Sequence, residues 1–197
     1  ARFLFHESIV IDNEKKRKET AYFAGGCVRD HLRGQKPQDF DIATTATPDE
    51  VEKIFRRTIP VGKQFGVMIV VEEDTPFEVA TFRCEGGYQD GRHPTQVSFT
   101  QPEEDAKRRD FTVNGMFYDP FAEKVIDFIG GIEDLPKKII RAIGDPAARF
   151  EEDKLRLLRA IRFASTLGFE IETQTWAALR KNAPKIREVS PERIREE

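Results

Sequence analysis

Asp39 and Asp41, in the stretch DFDIAT, are the first residues whose type and spacing suggest chemistry. On a strand, side chains alternate, so the two carboxylates share a face about 7 Å apart while Phe40 turns to the core. They cannot pair with each other, and they repel unless cations sit between them. Hard divalent ions such as Mg²⁺ favour carboxylate oxygens. Two such ions about 3.5–4 Å apart activate an attacking oxygen and stabilise a leaving one during an in-line phosphoryl displacement. Alone, the pair is common on solvated strand edges, so its meaning depends on its neighbours.

Just upstream, AYFAGG is a short apolar strand ending at Gly25-Gly26, and CVRDHLRG is a short helix closed by Gly34. Backbone amides at a helix start bind phosphate, and glycine lets the phosphate come close. Arg29 adds a charged donor. A phosphate cradle followed closely by a metal-binding strand suggests nucleotidyl transfer, with a triphosphate on Gly26 and Arg29 and metals on Asp39 and Asp41. A third group lies far downstream. Asp153, Arg156, Arg159 and Arg162 recur every third residue, which on a helix gives one slowly winding stripe. A carboxylate accepts a hydrogen bond from an exocyclic amine, and arginine donates to ring acceptors. Cytosine and adenine present an amine beside an unprotonated ring nitrogen; uracil and guanine present a carbonyl beside a protonated one. An Asp153–Arg156 pair therefore accepts CTP and ATP and rejects UTP and GTP.

The elements that must position these residues follow from patterning. Lys36-Pro37 is a turn, and Thr47-Pro48-Asp49-Glu50 starts a helix with a capping box and proline at the first helical position. FGVMIVV and FEVATFR are strands. EGGYQDGRHPTQ at 85–96 holds three glycines and a proline and predicts a mobile loop, followed by a short strand VSF. Glu103 to Arg109 is a short helix. From Ala147 to Leu167 apolar residues recur at helical spacing, and helical stretches follow from Thr173 to Asn182 and from Pro191 onward. A mixed sheet-and-helix domain over 1–145 and a helical unit over 146–197 are expected, with the chain continuing beyond PERIREE.

Composition bounds the class. The chain has 197 residues, 39% hydrophobic, with 16 Phe, enough for a packed core. No apolar run approaches the roughly 18 residues of a membrane helix, and the N-terminus carries no signal-peptide pattern. Cys27 and Cys84 fit no metal spacing and predict reduced thiols of a cytoplasmic protein. The histidines, His6, His31 and His93, form no metal pattern. The net charge is −3, which argues against general polyanion binding. Basic residues nevertheless crowd Lys137 to Arg195, a local surface able to hold RNA phosphates.

GGCVRDHLRGQKPQDFDIAT at 25–44 resembles the first motif of the class II tRNA nucleotidyltransferase and bacterial poly(A) polymerase family. RRDFTVNGMFYDP at 108–120 resembles its second motif, and EEDKLRLLRAIRFASTLGF at 151–169 resembles its nucleotide-selecting helix, with Glu152-Asp153-x-x-Arg156 at the core. The resemblance covers about residues 21–175 and implies an α+β fold: a nucleotidyltransferase (polymerase beta-like) head followed by the start of an all-α neck. It implies that Arg109 contacts the nucleotide, that Asp110 orients an arginine, that Asn114 contacts the sugar and that Glu78 is a third carboxylate near the metals. Gly115 stands where many relatives have alanine or serine.

Within the family, VGKQFGV at 61–67 carries Gln64 where poly(A) polymerases usually have a second basic residue, with Gly66 after Phe65, which looks like the tRNA-repair branch. The glycine-rich loop resembles the flexible loop of enzymes that add CCA. The expected reaction is addition of C and A to a tRNA 3′ end from CTP and ATP with two Mg²⁺ and no nucleic-acid template. Catalytic Asp39, Asp41, Glu78 and Asp110 act with nucleotide-binding Gly25, Gly26, Arg29, Arg109, Asn114, Asp153, Arg156, Arg159 and Arg162. CC-adding, A-adding and poly(A)-adding enzymes remain alternatives, as do a small-acceptor nucleotidyltransferase and a non-catalytic RNA-binding module. Neither a membrane nor a protein partner is inferred.

Overall fold

A computed structural model describes residues 20–88 and 94–197, with side chains for 20–84 and 97–197. The N-terminal stretch with His6 and the loop tip with His93 lie outside the described residues.

The order begins with β1 (Ala21–Ala24), α1 (Gly26–Leu32), β2 (Asp41–Thr44), α2 (Pro48–Ile54), β3 (Thr58–Gly62), β4 (Val67–Glu72) and β5 (Thr75–Thr81). It continues through β6 (Arg83–Tyr88), β7 (Pro94–Phe99), α3 (Pro102–Arg108), β8 (Phe117–Asp119), β9 (Lys124–Ile126), α4 (Gly131–Lys137) and β10 (Ile139–Ile140). The last elements are α5 (Pro146–Glu152), α6 (Arg156–Leu167), β11 (Glu170–Ile171), α7 (Thr173–Asn182) and α8 (Pro191–Glu196). The fold is α+β, as expected. Seven strands form one mixed sheet in the order β3-β4-β5-β2-β1-β8-β9. The short apolar strands β1 and β2 lie near its middle, where Phe23 and Ile42 are buried on both sides of an antiparallel pairing. β2 also pairs in parallel with β5, which sets Asp41 in register with Glu78. The capping box forms: Glu50 accepts from the Thr47 backbone N–H at 2.8 Å, and proline opens α2.

Three expectations need correction. First, β2 starts at Asp41, and Asp39 sits in a bend before it. Asp41 pairs with Ala24, the last residue of β1 before Gly25 turns away at φ 73°, so β1 offers Asp39 no partner, and the ladder with β5 also begins only at Asp41–Glu78. Phe40 still reaches the core, edge-on to Phe23 with centroids 5.8 Å apart. Second, much of the expected loop 85–96 is a hairpin: β6 and β7 pair from Arg83–Phe99 to Tyr88–Pro94. Gly86 and Gly87, two of the glycines that suggested a loop, lie within β6, where cross-strand pairing overrides propensity. Third, the helix expected over 147–167 breaks between α5 and α6. Asp153 is extended, with φ −138° and ψ 105°, and its Oδ1 accepts the Leu155 N–H at 3.1 Å. An aspartate at a helix end satisfies free amides there, and a mid-helix position would forgo that bond.

The helical segment shares the sheet's core. Phe111, Ile140, Phe150, Leu157 and Phe163 belong to one buried cluster, with Phe111 edge-on to Phe163 at 6.0 Å. A second small cluster packs Phe82 edge-on to Phe117 at 5.5 Å. Among the described residues no helix is long and apolar enough to cross a membrane.

Candidate active site

A cleft of about 610 Å³ opens where the ends of β1 and β2 meet α1, α3 and α6. Gly25, Gly26 and Arg29 form one wall, Asp39 and Asp41 the floor, and Arg108, Arg109, Asp110 and Asn114 the next wall. Asp153, Arg156, Arg159, Arg162 and Phe163 close it from the helical side. Of the expected site residues only Glu78 does not line this cleft; it lines two smaller clefts together with Asp41.

The turn at Gly25 is possible because its φ of 73° is open to glycine. A Cβ there would lie 3.4 Å from Nη1 of Arg109 and 3.6 Å from Oδ2 of Asp41. Arg109, Asp41 and the glycine turn therefore converge within a few ångströms. At Gly26 the nearest group is the Arg29 guanidinium, with Nη2 3.5 Å from such a Cβ. Two arginines thus lie against the glycine pair, Arg109 at Gly25 and Arg29 at Gly26.

A chain of hydrogen bonds runs from Arg29 across the cleft. Nη1 of Arg29 donates to Oδ1 of Asn114 at 2.6 Å, and Nδ2 of Asn114 donates to Oδ1 of Asp110 at 3.3 Å. Oδ2 of Asp110 accepts from Nη2 and Nε of Arg159 at 2.7 and 3.0 Å. Asp110 is 9% exposed. Its burial favours the neutral acid, but the Arg159 charge and the bonds from Arg159, Phe111 and Asn114 outweigh that and hold its pKa below the ordinary value. Arg159 and Arg162 also reach Glu197, at 3.5 and 2.5 Å. Arg29, Arg159 and Arg162 stack against one ring, Phe163, with guanidinium carbons 5.5, 5.3 and 4.3 Å from its centroid.

A matching family model, "Poly A polymerase head domain", covers residues 21–141, and a second, "Probable RNA and SrmB- binding site of polymerase A", covers 168–197. The chain belongs to the poly(A) polymerase head-domain family. It is 49% identical over 175 residues to the CCA-adding enzyme of Enterococcus faecalis, covering 88% of this chain and 43% of that protein. The crystal structure of the Bacillus stearothermophilus CCA-adding enzyme in complex with CTP matches with a TM-score of 0.83 at 42% identity, covering 92% of this chain and 44% of that one. A tRNA nucleotidyltransferase complexed with a primer tRNA and an incoming ATP analog matches with a TM-score of 0.73 at 29% identity, covering 91% and 52%. The chain spans less than half the length of the E. faecalis relative.

Against this family background the carboxylates differ from the rest of the cleft. Among the described residues no hydrogen bond or ion pair joins the side chains of Asp39, Asp41 or Glu78 to another protein group. The pKa of Asp41 is raised, chiefly by desolvation, with the Asp39 charge adding and the Arg109 charge opposing. Glu78 is raised by desolvation and by the Asp41 charge, against Arg83. Among the described residues no cluster of three or more His, Cys, Asp or Glu groups is poised as a metal site. An array of oxygen donors whose charges repel still fits a hard divalent cation, which would relieve that repulsion.

Sequence reasoning missed Arg149, Arg108 and Phe163, and it missed the contacts that hold Arg156. Arg149 and Arg156 grip the backbone carbonyls of the RRD stretch: Nη2 of Arg149 donates to Arg109 O at 2.7 Å and also to Arg108 O. Nη2 of Arg156 donates to Arg108 O at 3.2 Å, and its Nη1 donates to Arg149 O and to Glu152, each at 3.0 Å. The expected base reader is thus 7% exposed and held by protein acceptors. Oδ1 of Asp153 also accepts from Arg193 at 3.3 Å. Contacts spanning about 40 residues of sequence leave no local pattern. Arg108 and Phe163 were within reach, since both lie inside quoted motifs.

Proposed function

We propose that the protein adds nucleotides to the 3′ end of tRNA without a nucleic-acid template, using CTP and ATP and releasing pyrophosphate. One observation carries this: the paired carboxylates, the glycine turn with its two arginines, and Asp153 with Arg156 all face one cleft. The names of the similar proteins support it, since they are CCA-adding enzymes and one solved relative holds CTP. Residues 1–145 then form the catalytic unit and 146–197 a helical neck that carries the base reader.

In this reading Gly25, Gly26, Arg29 and Arg109 bind the triphosphate, with the glycines allowing close approach and the arginines neutralising charge. Asp39 and Asp41, with Glu78 beside Asp41, would hold divalent cations, and two Mg²⁺ bound there would acidify the attacking hydroxyl and offset charge on the leaving group. Asp153 accepts the exocyclic amine of cytosine or adenine, and Arg156 donates to the ring acceptor after giving up its contact to Glu152. Asn114 acts through its amide, which links Arg29 to Asp110. Asp110 acts by orienting Arg159, and Arg162 completes the basic wall. The tRNA 3′ hydroxyl attacks the α-phosphate, and basic residues of the helical segment, Arg180 and Lys181 among them, hold stem phosphates with salt-dependent affinity.

The test uses the complete protein, a tRNA lacking its last three nucleotides, Mg²⁺, and each nucleotide singly and together, with product ends sequenced. Addition of CCA that then stops is expected. Addition of CC only or A only reassigns the enzyme to a split-function relative. A long A tail from ATP alone makes it a poly(A) polymerase and removes the weight placed on Gln64 and Gly66. RNA binding with no transfer at all indicates a non-catalytic module.

A further inference from the structure

Asp105 lies on α3, behind the cleft wall, and does not line the cleft. It is 1% exposed, and a buried carboxylate is costly unless its oxygens are paired. Here both are. Oδ1 accepts from Nε of Arg108 at 2.8 Å and from the backbone N–H of Arg83 at 3.1 Å. Oδ2 accepts from Nε of Arg109 at 3.1 Å and lies 3.0 Å from its Nη2. Two consecutive arginines therefore reach back three and four residues to one carboxylate, the spacing at which side chains meet along a helix. The Arg83 amide, at the start of β6, fixes the carboxylate's orientation from a separate element.

The consequence falls on Arg109. Its Nε and Nη2 face Asp105, and Phe117 lies under its guanidinium carbon, 4.9 Å from the ring centroid. Its remaining nitrogen, Nη1, is the one that faces Gly25 beside Asp41. A guanidinium held along one edge and one face has a single direction left in which to present a donor.

We propose that Asp105 is a positioning residue that aims Nη1 of Arg109 at the phosphates of the bound nucleotide. This rests on the cleft being a nucleotide site. Burial raises the Asp105 pKa, but Arg109 and Arg108 outweigh it and hold the net value below the ordinary one, so the carboxylate stays charged at neutral pH.

A double-mutant cycle on the complete protein tests it, reading CTP and ATP dissociation constants by calorimetry together with KM and kcat. Asp105→Asn keeps the volume and removes the charge. Nucleotide affinity is expected to fall roughly 10-fold to 100-fold, by analogy with the range found when partners behind metal ligands are removed. Because Asp105 acts through Arg109, the double variant Asp105→Asn/Arg109→Ala should bind no more weakly than Arg109→Ala alone. A multiplied loss in the double variant, or unchanged affinity in Asp105→Asn, overturns the proposal. If Asp105→Asn does not fold, the cycle is run with Asp105→Glu, which keeps the charge but displaces it, and the same outcomes apply. If the wild-type protein binds neither nucleotide, the nucleotide-site reading itself fails and this proposal with it.

Discussion

The two ends of the cleft are built on opposite electrostatic plans. At the strand end Asp39 and Asp41 line the cleft, Glu78 shares an adjoining smaller cleft with them, and Asp41 and Glu78 are pushed toward their neutral forms. At the helix end Asp110, and behind the cleft wall Asp105, are buried yet held charged, because arginines surround them. Burial alone therefore does not set a carboxylate's state; the donors around it do. Asp105 and Asp110 thus have protein partners in place, whereas the side chains of Asp39, Asp41 and Glu78 have none among the described residues.

The largest expected effect breaks the strand end. Asp41→Asn should lower nucleotide transfer by roughly 10³-fold or more, because it removes charge where cations and developing charge must be held. Its melting temperature should be unchanged or higher, since the repulsion with Glu78 is gone; a clear loss of stability would mean Asp41 is a structural residue. Next comes the helix end. Arg159→Ala leaves Asp110 buried without its main partner and should cost about 2 kcal/mol of stability in denaturant unfolding, within the range for hydrogen bonds to charged groups.

A smaller effect is expected at the shared ring. Phe163→Leu keeps most of the apolar volume and removes the aromatic face under three arginines, at about 1 kcal/mol. A modest rise in nucleotide KM should accompany it, measured by steady-state kinetics.

The mildest test is titration with acid. Asp105 and Asp110 have lowered pKa values, so the stability they add is complete above the ordinary carboxylate value of about 3.9 and is lost only as pH falls through the lowered ones. Asp41 has a raised value, so on acidification it takes up its proton, and gives up its hold on a cation, while Asp105 and Asp110 are still charged. Transfer activity and circular dichroism across acid pH should therefore reveal a folded, inactive interval. Coincident loss of both would contradict the contrast between the two ends.

The strand end was more legible in the sequence than the helix end. Gly25, Gly26, Asp39 and Asp41 lie within 17 consecutive residues, and local spacing carries their meaning. The strand alternation used for Asp39 was wrong in detail, since the bend before β2 supplies its placement. At the helix end the residues were found but their partners were not. Asp153 to Arg162 suggested one stripe, and the break at Asp153 depends on an amide bond that local propensity does not reveal. The links from Asp110 to Arg159 and from Arg149 to the carbonyls of Arg108 and Arg109 span 49, 41 and 40 positions, and only the tertiary fold creates them.

Those last contacts have a consequence for how such a protein can diversify. Arg149 and Arg156 fasten the helical segment to the RRD stretch through main-chain oxygens, which every residue type possesses. The joint is therefore blind to the identities of the side chains at 108 and 109. Substitutions there can retune the cleft while the fastening keeps its acceptors, so selectivity and assembly can drift independently in a lineage.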